Sequence, residues 1–148
     1  MRDNNYHEVV EQVIEDTSYL ALATTDGSEP WLAPIEYFRG DTENFYFFST
    51  TDSRHATHIE ANETVAVALW SQEQPEYEPG MEATLNGVQI RATAKQLSEE
   101  EYPPVVEAAI DELDAPMPPY ASFEIEPQRM YVPILEDGIN KRVEVDLE

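Results

Sequence analysis

The chain has 148 residues and a mass of 16.9 kDa, which is the size of a single domain with a full core. It carries 31 acidic and 8 basic residues, which give a formal net charge of −23. This charge repels phosphate backbones and anionic lipid headgroups, so neither a non-specific nucleic-acid partner nor a membrane surface is expected. The chain has no cysteine, which excludes a disulfide framework, a thiolate nucleophile and a thiolate metal site.

The acidity does not indicate disorder, because 41 % of the residues are hydrophobic and 10 % are aromatic. Lysine is limited to Lys95 and Lys141. An acidic surface poor in lysine is typical of a halophilic protein, since concentrated salt screens the self-repulsion; a basic partner and an ordinary acidic protein are the alternatives. No apolar run approaches the roughly 20 residues of a membrane span, and the N-terminus lacks the apolar core of a signal peptide, so we expect a cytoplasmic protein.

In the first half of the chain, hydrophobic periodicity predicts one helix followed by three strands. The apolar residues of 4–16 recur at helical spacing, with Asp3 or Asn4 as the expected cap. A buried strand is predicted over 18–24, and Asp26-Gly27 is a hairpin signal. The partner strand is predicted over 29–38, where Pro34 indicates a sheet edge or a bulge. An aromatic strand over 44–49 follows.

The second half alternates short helices with longer strands. A helix is predicted over 53–61, a strand over 64–70, an exposed loop over 72–82 and a long strand over 85–97. Ser98 and Glu101 form a capping-box pattern, and a helical stripe continues to Leu113 after Pro103-Pro104. A stiff linker over 115–119 leads to closing strands over 121–135 and 139–145, with Pro127 and Pro133 expected to interrupt the first of them.

These elements predict a mainly β protein with peripheral helices in one domain. Meandering antiparallel strands favour a small closed β-barrel, and there is no Gly-x-Gly-x-x-Gly fingerprint of a Rossmann-like sheet. The expected organisation is an N-terminal helix (1–17), a barrel core (18–97), a helix with a Pro-rich linker (98–119) and closing strands (120–148).

The segment 47–56, Phe-Phe-Ser-Thr-Thr-Asp-Ser-Arg-His-Ala, is the strongest candidate for a binding site. A strand ends there and a helix begins, and the start of a helix offers free N–H groups and a positive dipole end to a phosphate. Arg54 can bind a phosphate with its planar fork, and His55 can donate a further hydrogen bond. The hydroxyls of Ser49, Thr50 and Ser53 are additional donors. The alternative is that Arg54 pairs with a surface acid and Ser53 is only a cap.

The order of these elements resembles the pyridoxamine-phosphate-oxidase-like, FMN-binding split β-barrels. The resemblance rests on the Asp-Gly hairpin, the strand with a central proline, the aromatic strand and Ser-Arg-His at a helix start. It extends through Ala-Asn-Glu-Thr-Val-Ala-Val-Ala-Leu (61–69) and Gly-Val-Gln-Ile-Arg-Ala (87–92). It covers residues 6–97 well and the C-terminal third loosely. It implies a split β-barrel homodimer with two FMN sites at the interface.

The resemblance also assigns roles to residues of this chain. Arg54 and His55, where the second is more often lysine, match the residues that hold the FMN phosphate. The hydroxyls at the strand end match Ser49 and Thr50. The backbone groups that face the flavin ring match Ala33, Pro34 and Ile35. A glutamine that reaches the cofactor from the dimer mate matches Gln89, and Arg91 lies beside it. On periodicity alone, Gln89 and Arg91 fit a plain solvated strand face equally well.

Two departures argue against oxidation of vitamin B6. The chain has no histidine after His58, so the Arg-x-His pair of true pyridoxamine-phosphate oxidases is missing. Leu32, Ala33 and Pro34 stand where those enzymes use an arginine toward FMN. Lys141 and Arg142 could approach the site from the partner subunit.

The sequence therefore favours an FMN-binding protein, either a flavin-dependent oxidoreductase acting on a small molecule or a flavin carrier, and it identifies no catalytic residue. The alternatives are an F420-dependent reductase of the same fold, a haem-binding or flavin-storing barrel with His55 or His58 as the axial candidate, and a structural dimer without a cofactor. A metal site is not expected, because His55, His58 and nearby Glu60 lack a further ligand at metal-site spacing.

Overall fold

Antiparallel pairing dominates the computed structural model, which describes residues 6–71, 87–113 and 119–147. The helices are α1 (His7–Asp16), α2 (Arg54–Ala61) and α3 (Pro104–Asp111), and a short 3₁₀ helix spans Glu99–Glu101. The strands are β1 (Tyr19–Thr25), β2 (Pro30–Glu36), β3 (Phe38–Arg39), β4 (Phe45–Thr50), β5 (Thr64–Trp70), β6 (Gly87–Gln96), β7 (Tyr120–Glu136) and β8 (Ile139–Val145). The predicted loop at 72–82, the Asp3 or Asn4 cap and most of the 115–119 linker lie outside the described residues.

The strands form one curled sheet in the order β2-β1-β5-β6-β7-β4-β3, with β8 paired to β7. The long β7 holds the sheet together, because its first part pairs with β4, its last part with β8 and its middle with β6. Among the described strands, β2 and β3 end the order and form no ladder with each other. The predicted closed barrel is therefore wrong, and the split β-barrel implied by the resemblance is confirmed.

The strand predicted over 29–38 is two strands rather than one. β2 pairs with β1, whereas β3 pairs with β4 at the far end of the sheet, so the chain changes partner at Tyr37. The Tyr37 hydroxyl lies 2.8 Å from the carbonyl oxygen of Ile14 and 2.7 Å from the Thr17 hydroxyl. Burial raises the pKa of Tyr37. This anchor to the end of α1 fixes the change of direction, and the sequence pattern gives no sign of it.

The prolines follow the geometry of the sheet. Pro34 lies in β2, an edge strand, as predicted. β7 is one continuous strand rather than an interrupted one. Pro127 sits at a register shift, where Arg91 pairs with Arg129 but Ala92 pairs with Pro127. A proline lacks an N–H group and cannot donate a hydrogen bond to the neighbouring strand. A bulge at this position interrupts the regular ladder, so no donor is required there.

The predicted turn at Asp26-Gly27 is confirmed, and a second Asp-Gly turn joins β7 to β8. Gly27 has a φ of +100°, and Asp137 and Gly138 have φ values of 52° and 77°, the left-handed region that such turns require. The Asp26 carboxylate accepts hydrogen bonds from the N–H groups of Ser28 and Glu29 at 2.8 and 2.9 Å. These bonds lower the pKa of Asp26 and fix the register of β1 against β2.

The two faces of the sheet differ in what covers them. Alternate residues of β1, β5 and β6 point inward to a core covered by α1 and α2, and this face includes Leu20, Leu22, Val65, Val67, Ile90, Phe45, Phe47 and Phe123. The other residues of these strands lie on the outer face, which includes Ala21, Ala23, Ala66, Ala68, Gln89 and Arg91. No helix of the described residues is long and apolar enough to cross a membrane.

Candidate functional site

The start of α2 is built by the end of β4 and a serine cap. Ser53 adopts an extended conformation, and its hydroxyl accepts a hydrogen bond from the Ala56 N–H group at 3.3 Å. This cap satisfies one of the free donors of the first turn. The remaining N–H groups of that turn and the positive end of the helix dipole face the segment between β4 and α2.

Ser49, Ser53 and His55 form a hydrogen-bonded cluster at this helix start. The Ser49 hydroxyl lies 2.8 Å from His55 Nε2 and 3.0 Å from the Ser53 hydroxyl, and the Ser53 hydroxyl lies 3.1 Å from Nε2. Both serine hydroxyls also donate to the Thr50 carbonyl oxygen, at 3.0 and 3.1 Å. His55 Nε2 is therefore assigned as the donor to the serine oxygens.

Burial lowers the pKa of His55 below its ordinary value of 6.5. The imidazole is half-buried and lies edge-on to Phe47, with ring centroids 6.0 Å apart, so its charged form has lost water, and no carboxylate among the described residues pairs with it. At neutral pH the cluster therefore carries no charge. To bind an anion, the serine and imidazole hydrogens would have to turn from their present acceptors toward it.

Arg54 stands beside this cluster on the exposed side of α2. Its guanidinium carbon lies 4.6 Å from the centroid of the Trp31 ring, a cation–π contact. Within residues 6–71, 87–113 and 119–147, no carboxylate pairs with Arg54. The alternative that Arg54 serves a surface ion pair is therefore not supported, whereas the capping role of Ser53 is real and coexists with its place in the cluster.

Thr50 takes part in the cluster through its backbone. Its carbonyl oxygen is the acceptor shared by the two serines, but its side chain alternates to the opposite face of β4 from Ser49. The cluster therefore uses the backbone of Thr50 rather than its hydroxyl.

A second polar contact, which the sequence analysis missed, fixes α2 to the sheet. The Thr24 hydroxyl lies 3.0 Å from His58 Nδ1, and both side chains are buried. His55 and His58 therefore have different partners, and the described residues contain no group of three His, Cys, Asp or Glu side chains that could hold a metal ion. The pair is 34 residues apart in sequence, so no local pattern could have indicated it.

The backbone of β2 runs past this site as an edge strand. Ala33 and Ile35 are buried in the core, and Pro34 is exposed on the outer face. Among the described strands β2 pairs with β1 alone, so half of its backbone polar groups face away from the sheet. This is the backbone to which the resemblance assigns contact with the flavin ring.

Gln89 and Arg91 lie elsewhere, on the outer face of the sheet. They line a groove of about 490 Å³ whose floor is made of alanines, and Gln89 and Arg91 pair in register with Ala68 and Ala66. The Arg142 guanidinium lies over the Tyr131 ring, 4.6 Å from its centroid, at the rim of the same groove. The cluster around Ser49 is on the inner side of the sheet, so one protomer does not bring the two predicted groups of residues together.

The curled antiparallel sheet, with α1 and α2 against its inner face and an alanine-floored groove on its outer face, defines a split β-barrel. The family described as Pyridoxamine 5'-phosphate oxidase matches residues 6–132 of the sequence. The chain belongs to this family. No curated protein matches the sequence.

Three solved structures illustrate the range of proteins with the same fold. General Stress Protein 26 from Bacillus anthracis has a TM-score of 0.60 and 20 % identity, covering 92 % of this chain and 97 % of that chain. A FAD-binding protein from Mesorhizobium loti has a TM-score of 0.57 and 18 % identity, with coverage of 81 % and 88 %. A heme binding protein from Mycobacterium smegmatis has a TM-score of 0.63 and 16 % identity, with coverage of 97 % and 59 %. At these identities the likeness establishes the fold alone.

Proposed function

We propose that this protein binds FMN noncovalently and acts as a flavin-dependent oxidoreductase on a small molecule. The observation that carries the proposal is the arrangement at the start of α2. Two serine hydroxyls, an imidazole and an exposed arginine, which has no carboxylate partner among the described residues, surround a helix N-terminus. This combination suits a phosphate monoester, because the guanidinium supplies charge and the hydroxyl and imidazole groups lie close enough to redirect their hydrogens to phosphate oxygens.

The rest of the cofactor would follow the edge of β2. The phosphate would lie at Arg54 and His55, and the ring would lie against the open backbone of Ala33, Pro34 and Ile35. Bound FMN would supply hydride and electron transfer, while the protein supplies orientation and electrostatics. Vitamin B6 oxidation is not proposed, since the Arg-x-His pair is missing from the sequence.

A second copy of the chain would complete the site. Gln89 and Arg91 lie on the outer face, away from their own phosphate cluster, so they can reach a flavin only across an interface. That face exposes Tyr19, Leu32 and Trp70 at 60 %, 66 % and 59 %, and single-domain proteins rarely leave such neighbouring apolar side chains uncovered. A homodimer packed through this face supports the partner contact implied by the resemblance.

Haem is less well supported as the cofactor, although one protein of this fold is a heme binding protein. His58 is buried and bonded to Thr24, and His55 Nε2 is bonded to two serines. One nitrogen of each imidazole is thus committed to a contact that holds α2 in place, and the His58 ring is buried, so a haem iron would have to bind the second nitrogen of a ring that the fold already fixes. F420 would need additional cations for its long acidic tail, and the described cations outside the α2 start lie on other surfaces.

The test is a comparison of FMN and riboflavin, which lacks the phosphate, by flavin absorbance and fluorescence titration. Wild-type protein is expected to bind FMN more tightly than riboflavin. Arg54→Ala should weaken FMN binding by about 1.5–3 kcal/mol, the range for hydrogen bonds to charged groups, and leave riboflavin unchanged. Lys95→Ala is the control, because it removes one positive charge from a surface pair with Glu101. Equal affinities for FMN and riboflavin in wild-type protein would overturn the phosphate assignment.

A further inference from the structure

Trp31 lies in direct contact with the side chain of Arg54. It lies at the turn end of β2, where it pairs in register with Thr24 of β1. Its ring is 41 % exposed and faces the Arg54 guanidinium at 4.6 Å. The hydroxyl of Thr24 is bonded to His58 on α2. The end of the β1–β2 hairpin is therefore tied to α2 by two contacts, one through Thr24 and one through Trp31.

The cation–π contact restrains the guanidinium without using its N–H groups in hydrogen bonds. A guanidinium held over an aromatic ring keeps its five N–H groups available for bidentate bonds to phosphate oxygens. An arginine side chain that is exposed and unrestrained loses substantial rotamer entropy when a ligand fixes it. An aromatic platform that holds the side chain in advance removes part of that cost.

We propose that Trp31 is a positioning residue, which holds Arg54 over its indole ring in the orientation that captures the cofactor phosphate. This inference rests on the proposed function, since it assigns a specific role within the same phosphate site. Trp31 acts through Arg54, so its contribution is confined to ligands that carry a phosphate and to proteins that carry the arginine.

The experiment measures the dissociation constants of FMN and riboflavin for wild type, Trp31→Leu, Trp31→Phe, Arg54→Ala and the double variant Trp31→Leu/Arg54→Ala. Trp31→Leu should weaken FMN binding about two- to five-fold, the size of an exposed cation–π contact. Trp31→Phe keeps an aromatic face and should recover most of that loss. Riboflavin affinity should not change, and Trp31→Leu should have no further effect once Arg54 is alanine.

The outcomes separate this inference from the proposed function. If wild type shows no preference for FMN and Arg54→Ala has no effect, the proposed phosphate site is refuted. If the FMN preference depends on Arg54 but Trp31→Leu leaves it unchanged, only the role of Trp31 is overturned. An equal loss of FMN and riboflavin, persisting without Arg54, would mean that Trp31 contacts the flavin ring instead, and this also overturns the inference. Should Trp31→Leu fail to fold, Trp31→Met gives the same contrast with a flexible side chain.

Discussion

The inner and outer faces of the same sheet carry two different kinds of polar group. On the inner side, Ser49, Ser53 and His55 are bonded to one another within a single protomer. On the outer side, Gln89 and Arg91 stand over a floor of alanines with no described partner on their own chain that closes the groove. The first group is held together within one chain, whereas the second would need a further surface to enclose a ligand.

This difference follows from how each group is built. The inner cluster spans only residues 49–55, so one strand end and one helix start position all of it. The outer groove draws on β1, β2, β5, β6, β7 and β8, and its small side chains leave room above the sheet. Under the proposed function, a single protomer would hold the phosphate, and a second surface would be needed to enclose a ligand on the outer face.

Among substitutions that compare the two faces, replacement of Phe47 should cause the largest loss of folding stability. This side chain is fully buried, stacks on Phe123 with ring centroids 5.0 Å apart and lies beneath His55. Phe47→Ala should lower the free energy of unfolding by about 3–5 kcal/mol through lost burial and a cavity. Urea denaturation measures this loss, which should not depend on protein concentration.

Trp70→Ala is the matched substitution on the outer face. Trp70 is largely exposed, so the unfolding of the isolated protomer should change by no more than about 0.5 kcal/mol. If the outer face is the dimer interface, the variant should instead shift the monomer–dimer equilibrium in analytical ultracentrifugation. A Trp70→Ala protein that loses stability like Phe47→Ala at every concentration would contradict the division between the faces.

The next effect tests whether the two faces meet across an interface. Arg54→Ala and Arg91→Ala should each weaken FMN binding, by about 1.5–3 kcal/mol where a charged hydrogen bond is lost. When the two variants are mixed and allowed to exchange protomers, each heterodimer should regain one intact site, with Arg54 from one chain and Arg91 from the other. FMN titration of the mixture should then recover tight binding at half of the sites in each heterodimer.

The control for this experiment is a mixture of Arg54→Ala with the double variant Arg54→Ala/Arg91→Ala, which contains no wild-type Arg54 and should recover nothing. If Arg54 and Arg91 act within the same protomer, the first mixture also recovers nothing, because every site then carries one of the two substitutions. That result would refute the cross-interface arrangement while leaving the phosphate cluster intact.

Much of the fold could be predicted from the sequence because its signals are local. The Asp-Gly turns, the serine cap of α2 and the alternation of β6 each depend on residues a few positions apart, and all three are present. The capping box of Ser98 and Glu101 is equally local; with Lys95 nearby, its bonds lower the pKa of Glu101 to about 2. In the candidate site, the contacts among Ser49, Ser53 and His55 have the same origin.

What the sequence could not indicate depends on distant pairs. The division of β2 from β3 is set by Tyr37 reaching α1, and the Trp31–Arg54 and Thr24–His58 contacts join the first hairpin to α2. Periodicity also placed Gln89 and Arg91 on a polar strand face without showing that this face is opposite to the cluster. Which face carries the Ser49 cluster depends on the pairing of β4 with β7, which no local pattern gives.

The smallest effect concerns the titration of His55 in the inner cluster. Burial holds the pKa of His55 in the folded protein below the value of 6.5 that applies when it is exposed. The folded state therefore favours the neutral imidazole. Above pH 6.5 His55 is neutral in both the folded and the unfolded chain, and its full contribution to the free energy of unfolding is present. As the pH falls through 6.5 toward the folded-state pKa, the unfolded chain takes up the proton first and that contribution is lost.

His55→Gln removes the titration while keeping a donor near the two serines. The free energy of unfolding is measured in urea at pH 7.5 and at pH 5 for wild type and His55→Gln. Between these two pH values, the wild type should lose more stability than His55→Gln. Saturating FMN should reduce this extra loss, because a phosphate beside the imidazole favours its protonated form. Parallel pH dependence in the two proteins, with and without FMN, would mean that His55 is outside the reach of the phosphate, and the inner cluster would then be a structural cap alone.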